Sequence, residues 1–208
     1  MNIKRHMEVT TYIPCPVRCS YCPQDKLIEA YKGINVLSFE KFTKALDNIP
    51  EDVQIHFSAF SEPFLNKQTY NMIKYARILG YPIVVYTTTR GLDVDRLKDI
   101  PFTEFNIHDI GNCQSVPYAT RIDRITDPVS RAGNLWEREP KKQPLICSRS
   151  RTFEQNVMLP NGDVYLCCMD WSLKHKIGSI FETNFDNLNR QKEYDLCRYC
   201  EKALNKKN

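Results

Sequence analysis

The chain has 208 residues, 42% of them apolar and 26% charged, enough for one packed domain with a small appendage. No stretch approaches the roughly 18 consecutive apolar residues of a membrane-spanning helix. The start runs through Lys4-Arg5-His6 to Glu8 with no apolar signal-peptide run, so the cytosol is the expected compartment. A net charge of +4 is too small to announce a nucleic-acid binder, whereas nine cysteines are many for a protein with no oxidising compartment in which to pair them.

In chain order, residues 8–13 are rich in β-branched and aromatic side chains and predict a strand that stops at Pro14. The loop beyond it carries Cys15, Cys19 and Cys22. Apolar residues at 39, 42, 45, 46 and 49, with Ser38 as N-cap, predict a helix ending near Pro50. A strand at 53–57, a helix at 67–79 closed by Gly80, a strand at 83–88 and a helix-like stretch at 92–100 follow, the last with Asp93 and Asp95 in its opening turn. Residues 104–108 and 120–125 supply a fourth and a fifth strand. Strands alternating with helices argue for an α/β fold built on a parallel sheet, open or curved into part of a barrel, with reactive residues in the loops after the strands. The polar, twice proline-broken segment 137–144 reads as a linker between a first unit, 1–136, and a second, 145–208. The second unit opens with a hairpin, 156–159 and 164–166, turning at Asn161-Gly162 and ending on Cys167. Residues 206–208 read as a frayed tail.

Cys15-Pro-Val-Arg-Cys19-Ser-Tyr-Cys22 places three thiols within eight residues, a loop that can fold around one small object and is too short for a disulfide framework. Metal ligation is the expected role. Three thiolates leave one corner of a [4Fe–4S] cluster open to a second molecule; the alternative is a structural zinc site with a distant fourth ligand.

Cys-x3-Cys-x-aromatic-Cys after the first strand resembles the signature of radical S-adenosylmethionine (radical SAM) enzymes. The resemblance implies a shortened partial (β/α) barrel in which Cys15, Cys19 and Cys22 hold a [4Fe–4S] cluster whose fourth iron is chelated by S-adenosylmethionine. One-electron reduction then yields methionine and a 5′-deoxyadenosyl radical. It also implies that Tyr21 flanks the adenine, and that Ser61-Glu62-Pro63 stands for the family's Gly-Glu-Pro, with Ser61 in place of the usual glycine. Glu62 would then accept charge-assisted hydrogen bonds from the ammonium of the methionine moiety. Thr87, Thr88 and Thr89 stand where relatives often place a cofactor contact, and Asn106 and His108 are candidates for the ribose hydroxyls. For each of these an ordinary structural role is the alternative.

Cys147, Gly162, Cys167 and Cys197-Arg-Tyr-Cys200 resemble the C-terminal auxiliary-cluster module called SPASM, in its shortened twitch form. The resemblance implies a small β-hairpin/helix module in which Cys147, Cys167, Cys197 and Cys200 close one auxiliary [4Fe–4S] cluster, leaving Cys113 and Cys168 as spares. Cys168 could exchange with Cys167, and a zinc ribbon is the competing reading of the four thiols. Relatives with one closed auxiliary cluster include aminocyclitol dehydrogenases of the 2-deoxy-scyllo-inosamine type. The expected activity is therefore two-electron oxidation of a small polar, sugar- or cyclitol-like substrate, with the auxiliary cluster taking the second electron from the substrate radical and a flavodoxin- or ferredoxin-like donor starting the reaction.

An epimerase or a peptide-modifying enzyme is the alternative within the family, although the chain has no N-terminal room for a leader-binding domain. A catalytically silent homologue is a further one. A zinc-stabilised nucleic-acid module is the alternative from another class, resting on +4 and on Arg149-Ser-Arg151 and Lys174-His-Lys176. His108, Asp109, Arg121 and Arg131 are pocket candidates by their place near strand ends.

Overall fold

A computed structural model describes residues 5–126, 128–142, 144–150 and 152–205. Arg151, one residue of the expected linker and the 206–208 tail lie outside these. Among the described residues, ten strands and three α-helices run in the order β1 (His6–Val9), α1 (Gln24–Ala30), α2 (Phe39–Leu46), β2 (Gln54–Phe57), α3 (Thr69–Ile78), β3 (Ile83–Thr87), β4 (Glu104–Asp109), β5 (Arg121–Arg124), β6 (Leu145–Cys147), β7 (Gln155–Met158), β8 (Asp163–Tyr165), β9 (Lys176–Ser179) and β10 (Ala203–Asn205).

Eight strands form one sheet in the order β5-β4-β3-β2-β1-β7-β8-β9, and β6 pairs with β10. From β5 across to β7 every pairing is parallel; β8 and β9 continue antiparallel. The apolar half of β1, β2, β3 and β4 packs under the helices. Met7, Val9, Ile55, Phe57, Val85, Phe105 and Ile107 are buried there with Phe42, Ala45 and Leu46 of α2 and Ile73 and Ala76 of α3. Ser38 caps α2 by accepting from the Lys41 N–H at 3.2 Å, as its sequence predicts.

Several elements differ from expectation. The first strand ends at Val9, because the chain then leaves the sheet: the Thr11 hydroxyl donates to the Pro63 carbonyl and the Thr11 carbonyl accepts from Asn66. The helix expected at 92–100 is a 3₁₀ turn, Val94–Leu97, in which Leu97 alone is buried and Asp93 makes no capping bond. The two buried side chains of the expected stretch, Leu92 and Leu97, lie five positions apart, which is not the spacing of a single helix face. Helix α1 has no apolar periodicity to announce it, burying Gln24 and Leu27. The hairpin forms, but its turn spans Leu159 to Gly162, closed by the Gly162 N–H on the Leu159 carbonyl at 2.9 Å, and Gly162 alone of the turn takes positive φ, +85°. Residues 137–142 are less free than a linker: the Lys141 N–H bonds the Arg198 carbonyl and its ammonium bonds the Cys200 and Ala203 carbonyls.

Candidate active site

Side chains alternate across each parallel strand, so the face opposite the helices carries His6, Glu8, Gln54, His56, Tyr86 and His108. They line a cavity of about 770 Å³. This inner wall is polar and connected. His6 stacks on His56 with centroids 4.0 Å apart, His56 approaches Tyr86, and Tyr86 approaches His108 at 5.5 Å. Glu8 accepts from the Ser58 hydroxyl at 3.1 Å and lies 3.5 Å from His6 Nε2.

The loop after β1 brings Cys15, Cys19 and Cys22 to the same cavity. Gln24 clamps it in place: its side-chain oxygen accepts from the Cys15 N–H at 3.4 Å, and its amide donates to the Phe60 carbonyl at 2.6 Å. Hydrogen bonds, the Cys22 thiol's first and the Tyr21 hydroxyl's among them, pull Cys19 down to about 6, while Cys22 is pushed up by giving its proton to that bond. Burial raises Cys15, whose sulfur also accepts from the backbone of Glu62. The Tyr21 ring sits edge-on to His108 at 6.1 Å, and the Arg131 guanidinium, 5.8 Å from the ring centre, donates to the Tyr21 carbonyl at 3.2 Å.

Glu62 follows β2, and its carboxylate is buried. One oxygen accepts from the Thr87 hydroxyl at 2.6 Å; the other accepts from the Thr88 N–H at 2.6 Å and the Thr88 hydroxyl at 2.8 Å. Burial nonetheless raises the group to about 7, because all of these donors are neutral. A cation brought into the cavity would supply the missing countercharge. Three thiols, one of them acidified, beside a buried carboxylate without a cationic hydrogen-bond partner therefore fit a cluster that carries an amino-acid cofactor.

A second, smaller cavity of about 50 Å³ is lined by Cys147, Cys167, Cys168, Cys197 and Cys200, with Phe153, Leu166, Leu196 and Ala203 closing it. Burial raises Cys167, Cys200 and Cys197, the last to about 12. Thiols this reluctant to ionise need a positive centre to do so, which iron provides. Among the described residues no group of three or more His, Cys, Asp or Glu side chains is gathered to hold a single metal ion. A cubane carries each thiolate on a different iron and so spreads its ligands more widely.

Residues 147–207 match the family model of SPASM, an iron-sulfur cluster-binding domain. A comparison with curated protein sequences returns no match. Among solved structures, BtrN in complex with AdoMet and 2-DOIA is similar with a TM-score of 0.69 at 17% identity, over 90% of this chain and 82% of that one. BtrN in an open conformation is similar with a TM-score of 0.62 at 16% identity, over 92% and 82%. The chain therefore shares the fold of these structures, and residues 147–207 form a SPASM-type iron-sulfur cluster-binding module. Among the described residues no helix is long and apolar enough to cross a membrane.

Within this fold, Tyr21, Ser61, Glu62, Thr87, Thr88, His108, Arg121 and Arg131 line the large cavity with the three thiols of the loop. Three expected residues do not. Asn106 shares the face of β4 that carries His108 but is not among the lining residues, its amide donating to Glu104 at 3.1 Å. Thr89 accepts from the Gln114 N–H, and Asp109 from the Gly111 N–H, each serving its own loop. Cys113 bonds Asp109 outside both cavities. Sequence reading missed Glu8, His6, His56, Gln24, Arg149 and Trp171; the alternation of β1 and β2 contained the signal for the first three.

Proposed function

We propose that this protein is a radical SAM oxidoreductase that removes two electrons from a small polar substrate. One observation carries the reading: the large cavity, with Cys15, Cys19, Cys22 and Glu62, shares a wall with the thiol-lined cavity of the SPASM-type module. Glu8, Arg149, Gln155, Cys168, Met169 and Lys202 line both. Bound together at the first site, a [4Fe–4S] cluster and S-adenosylmethionine supply a 5′-deoxyadenosyl radical, and an auxiliary [4Fe–4S] cluster at Cys147, Cys167, Cys197 and Cys200 supplies a one-electron acceptor.

The chain's own residues do the rest. Glu62 binds the ammonium of the cofactor, held in place by Thr87 and Thr88. Tyr21 and His108, set edge to face, offer the adenosine an aromatic corner. The remaining inner face, His6, Glu8, His56 and Tyr86, presents hydroxyl, imidazole and carboxylate groups to a substrate rich in hydroxyl or amino groups, as a sugar or cyclitol is. The starting electron comes from a flavodoxin- or ferredoxin-like donor.

The test is anaerobic reconstitution of the wild type and of a Cys15→Ala/Cys19→Ala/Cys22→Ala variant. About eight irons per chain are expected in the first and about four in the second. The reduced wild type alone should release methionine and 5′-deoxyadenosine. A colourless wild type that keeps zinc, or a brown one that leaves S-adenosylmethionine intact, would overturn the proposal.

A further inference from the structure

The wall between the two cavities carries an uneven set of charges. Of the six residues that line both, Arg149 and Lys202 are cationic and Glu8 is the single carboxylate. Arg149 lies two residues beyond Cys147, where the end of β6 delivers it, and its Nη1 is 3.8 Å from the Cys168 sulfur. Its charge acts on Cys168, Glu8, Cys147 and Cys167. No hydrogen bond joins its guanidinium to a carboxylate among the described residues, and the group remains exposed within the large cavity. Arg131, the neighbouring cation, donates to the Tyr21 carbonyl and acts on Cys22 as well as Cys168, whereas the charge of Arg149 acts on Cys147, Cys167 and Cys168.

Reduction of a cluster adds one negative charge to its surroundings. A fixed cation at the cavity wall stabilises that state, and a fixed anion opposes it. We propose that Arg149 raises the reduction potential of the cluster held by Cys147, Cys167, Cys197 and Cys200, so that this cluster accepts an electron more readily than the same four thiolates would behind a neutral wall. Arg149 acts here through charge, as a positioning residue, and Glu8 on the same wall acts in the opposite sense. The inference rests on the reading that these thiols hold an iron-sulfur cluster.

The test uses the full chain with Cys15→Ala, Cys19→Ala and Cys22→Ala, so that one cluster is titrated, and the readout is the midpoint potential followed optically and by electron paramagnetic resonance. Iron and sulfide are counted first. Arg149→Gln should lower the ratio of reduced to oxidised cluster at fixed potential about tenfold, which is 59 mV for a one-electron couple. Arg149→Lys should restore most of that shift, and Glu8→Gln should move the midpoint the other way. An unchanged or more positive midpoint in Arg149→Gln, or shifts of the same sign in Arg149→Gln and Glu8→Gln, would overturn the proposal. Absence of iron from the parent variant would instead overturn the cluster reading, and the proposal with it, before any potential is measured.

Discussion

The two thiol sets use the same ligand atom in opposite surroundings. Cys15, Cys19 and Cys22 sit on a loop at a large polar cavity, where hydrogen bonds pull one of them down to about 6. The C-terminal thiols sit in a small cavity closed by Phe153, Leu166 and Leu196, where burial pushes Cys197 up to about 12. An open, polar setting suits a centre that must admit a second molecule. A closed, apolar one suits a centre that exchanges electrons alone.

The contrast breaks most sharply if Cys147, Cys167, Cys197 and Cys200 are all replaced by Ala. About four irons should be lost and S-adenosylmethionine cleavage retained; loss of cleavage as well would show that the sites do not work separately. Trp171, 2% exposed and 4.6 Å from the Phe60 ring, ties the module to the loop after β2. Trp171→Ala should cost about 3–5 kcal/mol in denaturant unfolding, and a cost below about 1 kcal/mol would mean that the two regions are joined elsewhere.

Glu8 sharpens the electrostatic side of the contrast. Burial alone would raise its pKa, but the hydrogen bond and charge of His6, with the charges of His56 and Arg149, outweigh it and hold the group at about 2, against 4.5 when free. Its contribution is present above pH 4.5 and lost as pH falls towards 2, about 3 kcal/mol in all. The metal-free Glu8→Gln chain should lose less stability across that window than the metal-free wild type, and parallel urea-midpoint curves would refute the assignment. Glu62→Gln should weaken S-adenosylmethionine binding about 10–100-fold by equilibrium dialysis, and a change under about threefold would place the ammonium elsewhere.

The smallest effect belongs to the hairpin. A Cβ at Gly162, where φ is +85°, would meet the Phe181 ring, so Gly162→Ala should cost about 1–2 kcal/mol. Iron counts should show the loss in the C-terminal site alone.

Much of this was legible in the sequence, because cysteine spacing and strand alternation are local. The three-thiol loop, Glu62 after the second strand and the hairpin before Cys167 all follow from short stretches. What was not legible depends on closure. Alternation in β1 separates Met7 and Val9 from His6 and Glu8, yet only the folded chain shows that the polar side faces a cavity shared with residues more than a hundred positions away. Arg149 looked like half of a basic pair, and becomes a wall residue only when β6 and the Cys167-Cys168 turn meet. Asn106 shows the reverse: its place on the strand follows from the sequence, but Glu104, two residues back, takes its amide.

The central position of β1 bears on how the protein is made. His6 pairs with Gln54 on one side and with Gln155 on the other. During synthesis the first partner emerges early, but the second arrives only after about three-quarters of the chain. Until then the strand that delivers the first three cysteines has a bare edge, which is a template for pairing with another nascent chain. Long-range parallel pairing of this kind is slow. Chains stopped before residue 155 should therefore gather into aggregates instead of accumulating in soluble form, and the last quarter of the sequence serves the first as an edge guard.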